Sequence, residues 1–440
     1  MKFNDKRKYW IWLSHMAGQG SKTAVDLVRA YGDAKTVYGK TADEIKADGV
    51  VTDKRILARL AYKDLEECTL IVKWCDDNGV RIIIPTDKDY PKSLYALRDA
   101  PMVLYALGTL PDFDNIMCCA VVGTRDMSEY GKKVAYEIGN GLADGGACIV
   151  SGLALGIDGM AMAGAIEAGG ATVAVLGCGI DIVYPKQHEK LLRRVLEKGA
   201  VITEYAPGVS PKGYHFPVRN RIISGLSQAV CVVEGNMQSG SLITARHAVY
   251  QGRRLFAVPG RVGEEGSEGT NFLLKQGAAT ATSALDILSE FEFVYPHTIV
   301  LDRAVPHISP DDAEEKMDVG SRSKKKKSEK KQEKPVKTEK KKKGESPFPK
   351  EEKPERSPVR IDLESLTDED MKVLDAMTPD VPMLCEEIAA KGFELSSVMV
   401  SLTMLEVAGA VEAGAGGYYL KRAADFGGEP EYITEDDAGL

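Results

Sequence analysis

Residues 147–158, ACIVSGLALGID, decide how this chain folds. An apolar run ends at Ser151-Gly152, and a helical pattern opens near Ile157. A short apolar run closed by Gly or Ser suits a strand buried on both faces of a parallel sheet. The same grammar recurs on both sides. CAVVG (119–123) precedes a helix near Ser128. ATVAVLG (171–177) precedes one near Lys186, and QAVCVVEG (228–235) one near Ser241. RRLFAVPG (253–260) is a further strand of this kind. From Ile116 to about Leu288 the alternation predicts an α/β fold, a Rossmann-like doubly wound parallel sheet with helices on both faces. The loops after the strands then gather along one edge, where ligands bind.

Those loops are VVGTRDMSEYG (121–131), VSGLALGID (150–158), VLGCGIDIVYP (175–185) and VEGNMQSGSLITA (233–245). Each places Gly or Ser just before a helix. Gly permits close backbone approach, and free amides at a helix start favour an anion. Four such loops on one edge predict an anion-binding groove. Familiar nucleotide signatures are absent. Gly177-Cys178-Gly179 is followed by Asp181 and Ile182, where a dinucleotide fingerprint needs its third glycine. Gly20-Ser21-Lys22-Thr23 lacks the spaced glycine and preceding strand of a Walker loop.

The segment FPVRNRIISGLS (216–227) lies between ITEYAPG and the strand AVCVVE, so it too emerges at the loop edge. Arg219 and Arg221 sit near the start of a short helix, where the macrodipole favours acids rather than cations. Lys212, Tyr214, His215 and Phe216 precede them. Cations interleaved with aromatics suit a nucleic-acid single strand, whose phosphates need charge and whose bases need a flat face. Arg125 adds a cation to the same edge. A second reading pairs the arginines with nearby acids such as Glu204. Glu234, at a strand end, is either an acid in a nucleotide site or a structural group holding Arg221 or a loop amide.

These stretches, together with SGLALGIDGMA, LFAVPG and EGTNFLLKQGA, resemble the DNA-processing protein A (DprA/Smf) family across almost all of residues 116–288. YPKSLYALRDAPMVLYALG (90–108) resembles the family's lead-in to its Rossmann-like domain, and LTMLEVAGAVEAGAGGYYLKR (402–422) its winged-helix domain. The resemblance implies single-stranded DNA binding, a homodimer, and delivery of DNA to a RecA-type recombinase, notably in natural transformation. It implies DNA contacts at Gly123, Thr124, Arg125, Phe216, Arg219, Asn220 and Arg221. Ser151, Gly152, Gly177, Gly179, Ser239 and Ser241 follow as loop contacts, with Lys186 and Lys212 as additions. The family usually has a His where Met162 stands.

The rest of the chain sets limits. Its 440 residues allow several domains, and the division expected is 1–85 helical (sterile-alpha-motif or helix-hairpin-helix-like), 86–310 Rossmann-like with its lead-in, 311–360 a lysine-rich disordered linker, 361–422 winged helix, and 423–440 an acidic tail. The net charge of −8 averages over very uneven segments and so says little about partners. The eight cysteines show no paired or zinc-like spacing, which suits reduced buried thiols in the cytoplasm. No stretch approaches a membrane span, and no signal peptide is evident. The hairpin in MAGQGSKTAVDLVRAY (16–31) either holds a DNA phosphate or simply joins helices. The third C-terminal helix, SSVMVSLTMLEV, carries no Lys or Arg, which predicts a weak DNA reader or a protein-contact module rather than a sequence-specific regulator. The linker is a solvated spacer or a polyanion tether. No metal cluster, cofactor or nucleophile triad can be assembled, which favours a non-enzymatic DNA mediator. The alternative is a nucleotide-binding enzyme or sensor using the same loops.

Overall fold

The computed structural model describes residues 5–304, 366–378 and 383–393, together with 397, 398, 401, 402, 404, 405, 410–413 and 418–421. The lysine-rich segment, the acidic tail and much of the third C-terminal helix lie outside the described residues. The chain divides into two compact units, Met1–Lys324 and Lys325–Leu440.

The first unit begins with six helices: α1 (Arg7–Ala17), α2 (Lys22–Tyr31), α3 (Ala34–Gly39), α4 (Ala42–Ala47), α5 (Lys54–Ala61) and α6 (Glu66–Asp77). Side-chain caps start four of them. Ser21, Asp33, Thr41 and Asp53 each accept from an amide in the first turn, satisfying donors a helix start leaves open. Residues before Thr86 are not all helical, however. Arg81–Ile83 form strand β1, because this short apolar run pairs antiparallel with β2 (Leu104–Gly108). A run so short carries no readable period.

After the small helix α7 (Lys92–Tyr95) the alternation is as the sequence suggests: β3 (Cys118–Val122), α8 (Glu129–Asp144), β4 (Cys148–Ser151), α9 (Ile157–Glu167), β5 (Thr172–Val175), α10 (Glu189–Lys198), β6 (Ala200–Thr203), α11 (His215–Leu226), β7 (Ala229–Val232), α12 (Gly240–Tyr250), β8 (Arg254–Ala257), α13 (Glu265–Lys275), β9 (Ala279–Thr280) and α14 (Ala284–Leu288). The sheet order is β1-β2-β6-β5-β4-β3-β7-β8-β9, parallel from β6 to β9 and antiparallel at β1–β2 and β2–β6. Strand order reverses around β3, so the crevice of the fold opens beyond the carboxyl ends of β3, β4 and β7.

Each central strand is buried on both faces, and alternate residues divide between two apolar cores. Cys118, Ala120, Val122, Val150, Val230 and Val232 face one core, which continues through α11 and α12 into Trp10, Ile11 and Leu27 of the helical layer. Cys119, Val121, Ile149, Ala174 and Cys231 face the other, shared with α8, α9, α10 and α14. This is the two-residue period of a strand written into the packing. The helical layer and the sheet therefore share one core.

Among the described residues of the second unit are α15 (Asp368–Ala376), β10 (Met383–Leu384), α16 (Cys385–Ala389), β11 (Val411–Ala413) and β12 (Tyr418–Lys421), with an antiparallel order β10-β12-β11. Thr367 caps α15 in a reciprocal box with Asp370. Val373, Leu374, Ile388, Val398, Leu402 and Leu405 form its core. Among the described residues no helix is long and apolar enough to cross a membrane.

Candidate nucleic-acid interface

The loops after β3, β4 and β5 and the first turn of α11 enclose a small pocket. Arg125, Gly152, Leu155, Gly177, Tyr184, Phe216 and Arg219 line it. Phe216 is its centre. Tyr184 stacks on the Phe216 ring at 5.4 Å and 29°, and the Arg125 guanidinium lies 5.3 Å from the same ring. Tyr184 keeps 37% of its surface exposed. A ring–ring stack with a cation over it is attractive in itself. It also offers solvent a flat face beside positive charge.

Arg219 forms the pocket floor. It is 4% exposed, and its Nη1 donates to the Gly152 carbonyl at 2.9 Å and to the Val175 carbonyl. Its Nε donates to Asn220 Oδ1 at 3.2 Å. Burial pulls the guanidinium pKa down to about 10, with Asp158 acting the other way. The flanking glycines are explained by these side chains. A Cβ on Gly152 would stand 2.6 Å from Arg219 Nη2, and one on Gly177 would stand 2.9 Å from the Phe216 ring.

The loop amides, expected to face an anion, turn inward. Those of Gly152 (3.0 Å) and Gly123 donate to the buried Asp158 carboxylate at the start of α9. Thr124 N donates to Glu234 O at 2.7 Å, and Gly179 N to Val209 O at 2.8 Å. Ser128 N donates to the Glu234 carboxylate at 3.0 Å, so that acid holds a loop amide. The Ser151 hydroxyl is fully buried and donates to Val121 O. Ser239 caps α12, and its hydroxyl lies 2.8 Å from that of buried Ser241. Buried amides must find acceptors, and these loops supply their own.

Arg221 departs from the expectation that both arginines face the loop edge. It is 2% exposed, and its Nη2 donates to both Glu204 carboxylate oxygens at 2.8 Å. Its Nε lies 3.6 Å from Asp99. Burial works against its charge, but Glu204 and Asp99 outweigh that and raise its pKa. The reason for the divergence is helical geometry. Residues two apart on a helix are turned by roughly 200°, so they cannot share a face. The partner acid is Glu204, not Glu234.

Lys186 and Lys212 are exposed near this edge, the latter with Nζ 5.6 Å from the Tyr214 ring. Asn220 is half-buried and reaches Gly240 O at 3.3 Å, joining the middle of α11 to the start of α12. Among the described residues no group of three or more His, Cys, Asp or Glu could hold a metal ion.

Residues 81–292 match the family model of DNA recombination-mediator protein A. The DNA processing protein DprA of Streptococcus pneumoniae (strain ATCC BAA-255 / R6) is 44% identical over 207 residues, which span 47% of this chain and 73% of that protein. The chain belongs to the DprA family. Protein Smf of Escherichia coli (strain K12) is 45% identical over 213 residues, 48% of this chain and 57% of Smf, so the match spans little more than half of that relative. The X-ray structure of DprA from Streptococcus pneumoniae superposes with a TM-score of 0.57 at 34% identity, covering 67% of this chain and all of that one.

Within this DprA-family fold, Met162 is fully buried in the core between α8 and α9. It packs, and it does not reach the pocket. Tyr184 is the aromatic pocket residue that reading the sequence did not single out. Its signal was present, an aromatic in IDIVYP just before a helix start and on the same edge as Phe216. Its pairing with Phe216 joins residues far apart in sequence.

Proposed function

We propose that this chain is a non-enzymatic mediator that binds single-stranded DNA at the loop edge and delivers it to a RecA-type recombinase. The observation that carries the reading is the exposed Tyr184 ring stacked on Phe216 beneath Arg125. Stacking on an aromatic face accepts any base, and nearby cations accept the phosphates. In this reading Arg125, Lys186 and Lys212 meet phosphates, while Tyr184 and Phe216 meet bases. Thr124, Gly177, Gly179, Asn220 and Ser239 form the rim. Arg219, Arg221, Gly123, Gly152, Ser151 and Ser241 hold the rim in place from behind. Family membership supports the recombinase partner and a homodimer, and sedimentation at micromolar concentration tests the latter. The C-terminal unit is proposed as a winged-helix module that contacts protein or weakly binds DNA.

The nucleotide-enzyme reading is less well supported, because the amides of Gly123, Gly152 and Gly179 and the Glu234 carboxylate are already engaged. The test is fluorescence anisotropy with labelled oligo-dT at several salt concentrations, against duplex DNA of equal length. Salt-sensitive single-strand binding that collapses in Arg125→Ala/Phe216→Ala supports the proposal. Binding that is absent, or indifferent to the double substitution, ends it.

A further inference from the structure

The hairpin between α1 and α2, which resembles a phosphate-binding hairpin, is seated on α11. Gly20 adopts φ +75° there, and a Cβ on it would stand 2.8 Å from Val218 Cγ1 and 3.5 Å from Arg221 Nε. The Gly20 amide donates to the Glu204 carboxylate, the same group that holds Arg221. Ser21 immediately caps α2. One buried cluster thus ties three places in the chain to α11: the hairpin, Glu204 after β6, and Asp99 before β2. Val218 and Arg221 lie on either side of Arg219 in sequence, and Phe216 stands in the first turn of the same helix.

We infer that the Gly18–Ser21 hairpin is a positioning element of the DNA pocket, acting through Val218 and Arg221 to set the first turn of α11. The inference rests on the DNA-binding reading above. Its physical basis is that a packed helix moves as a body. A displacement at Val218 is carried to Phe216 and Arg219 within one turn, because close-packed interiors transmit shifts rather than absorb them. The Arg221–Glu204 pair makes the contact stiff, since separating two desolvated charges is costly. The hairpin amide of Gly20 is therefore engaged internally, and the helical layer influences DNA without touching it.

The experiment is a cycle on one contact. Gly20→Ala introduces a methyl against Val218, and Val218→Ala removes the atoms it strikes. Oligo-dT affinity is measured for the wild type, both single variants and the double variant, with thermal unfolding of each. Gly20→Ala is expected to weaken affinity roughly tenfold, and the added Val218→Ala to restore most of it, a coupling within the range for residues in contact. The backbone strain of Ala at a positive φ persists in the double variant. Restored affinity at unrestored stability therefore marks positioning rather than folding. Wild-type affinity in Gly20→Ala overturns the inference, as does a loss that Val218→Ala leaves uncorrected. If Gly20→Ala does not fold, Val218→Ile presses on the same contact from the α11 side. It should weaken binding in a folded protein, and unchanged affinity would refute the coupling. A wild type that does not bind oligo-dT at all defeats the DNA reading instead, so the two failures are distinct.

Discussion

Two arginines of one helix are equally buried and oppositely compensated. Arg219 meets backbone carbonyls on the pocket side. Arg221 meets Glu204 and Asp99 on the hairpin side. Carbonyl dipoles solvate a cation without cancelling its charge, whereas carboxylates neutralise it. Arg219 therefore leaves a positive field beneath Phe216, tempered by Asp158, whereas Arg221 has its charge cancelled by the acids around it. A half-buried cation whose Nζ is shielded extends the series. Lys63 Nζ has no hydrogen-bond partner and rests 4.4 Å from the Trp12 ring and 5.2 Å from Tyr38. Burial alone draws its pKa down to about 8. Burial does not define the role of a charge; the group that answers it does.

The sharpest way to break this contrast is stability. Arg221→Ala leaves Glu204 buried without its cation and is expected to cost about 3–5 kcal/mol, read as a lower melting temperature. Arg219→Ala removes a charge held by carbonyls and should cost less, about 1–3 kcal/mol. Equal losses would remove the distinction.

Phe216→Ala, which strips the platform but neither charge, should weaken oligo-dT binding by about 1–3 kcal/mol in anisotropy titrations. Arg125→Ala should lower the salt dependence of binding by roughly one phosphate contact. An unaltered slope would mean that Arg125 serves the ring and not the strand.

The smallest effect concerns Lys63. Its folded pKa of about 8 lies below the 10.5 of an exposed lysine. The unfolded chain thus holds the proton more firmly between these values, and stability rises with pH across that window. The cost of burying the charge is fully present below pH 8. Melting temperatures of the wild type should gain on those of Lys63→Met from pH 8 to 10.5. Parallel curves would show that the ring faces fully solvate the ammonium.

Much of this fold was legible in the sequence because buried parallel strands read as apolar runs closed by Gly, and because caps such as Ser128, Ser239 and Thr367 are local. Strand β1 was not legible, since three residues carry no period. The loop edge was legible as a place but not in its orientation. Gly152 and Gly177 suggested ligand approach, yet the atoms close to them belong to Arg219 and Phe216. The divergence of Arg219 and Arg221 could have been anticipated from helical phase, once the helix was known to include both. Glu204 was read as a candidate acid for the arginines and holds Arg221, but no local pattern contains Tyr184 as the partner of Phe216 or Asp158 as that of the loop amides.

The inward-turned amides have a consequence for how a polymer would be held. A cradle of free amides grips one phosphate at one fixed spot. Here Asp158, Glu234 and Val209 occupy the amides, and what faces outward is a ring beside the Arg125 guanidinium and the exposed Lys186 and Lys212. Every nucleotide presents the same kind of face and the same charge to such a surface. A strand held this way has no preferred register. It would slip by one nucleotide at little cost, which fits the proposed delivery of single-stranded DNA to a recombinase.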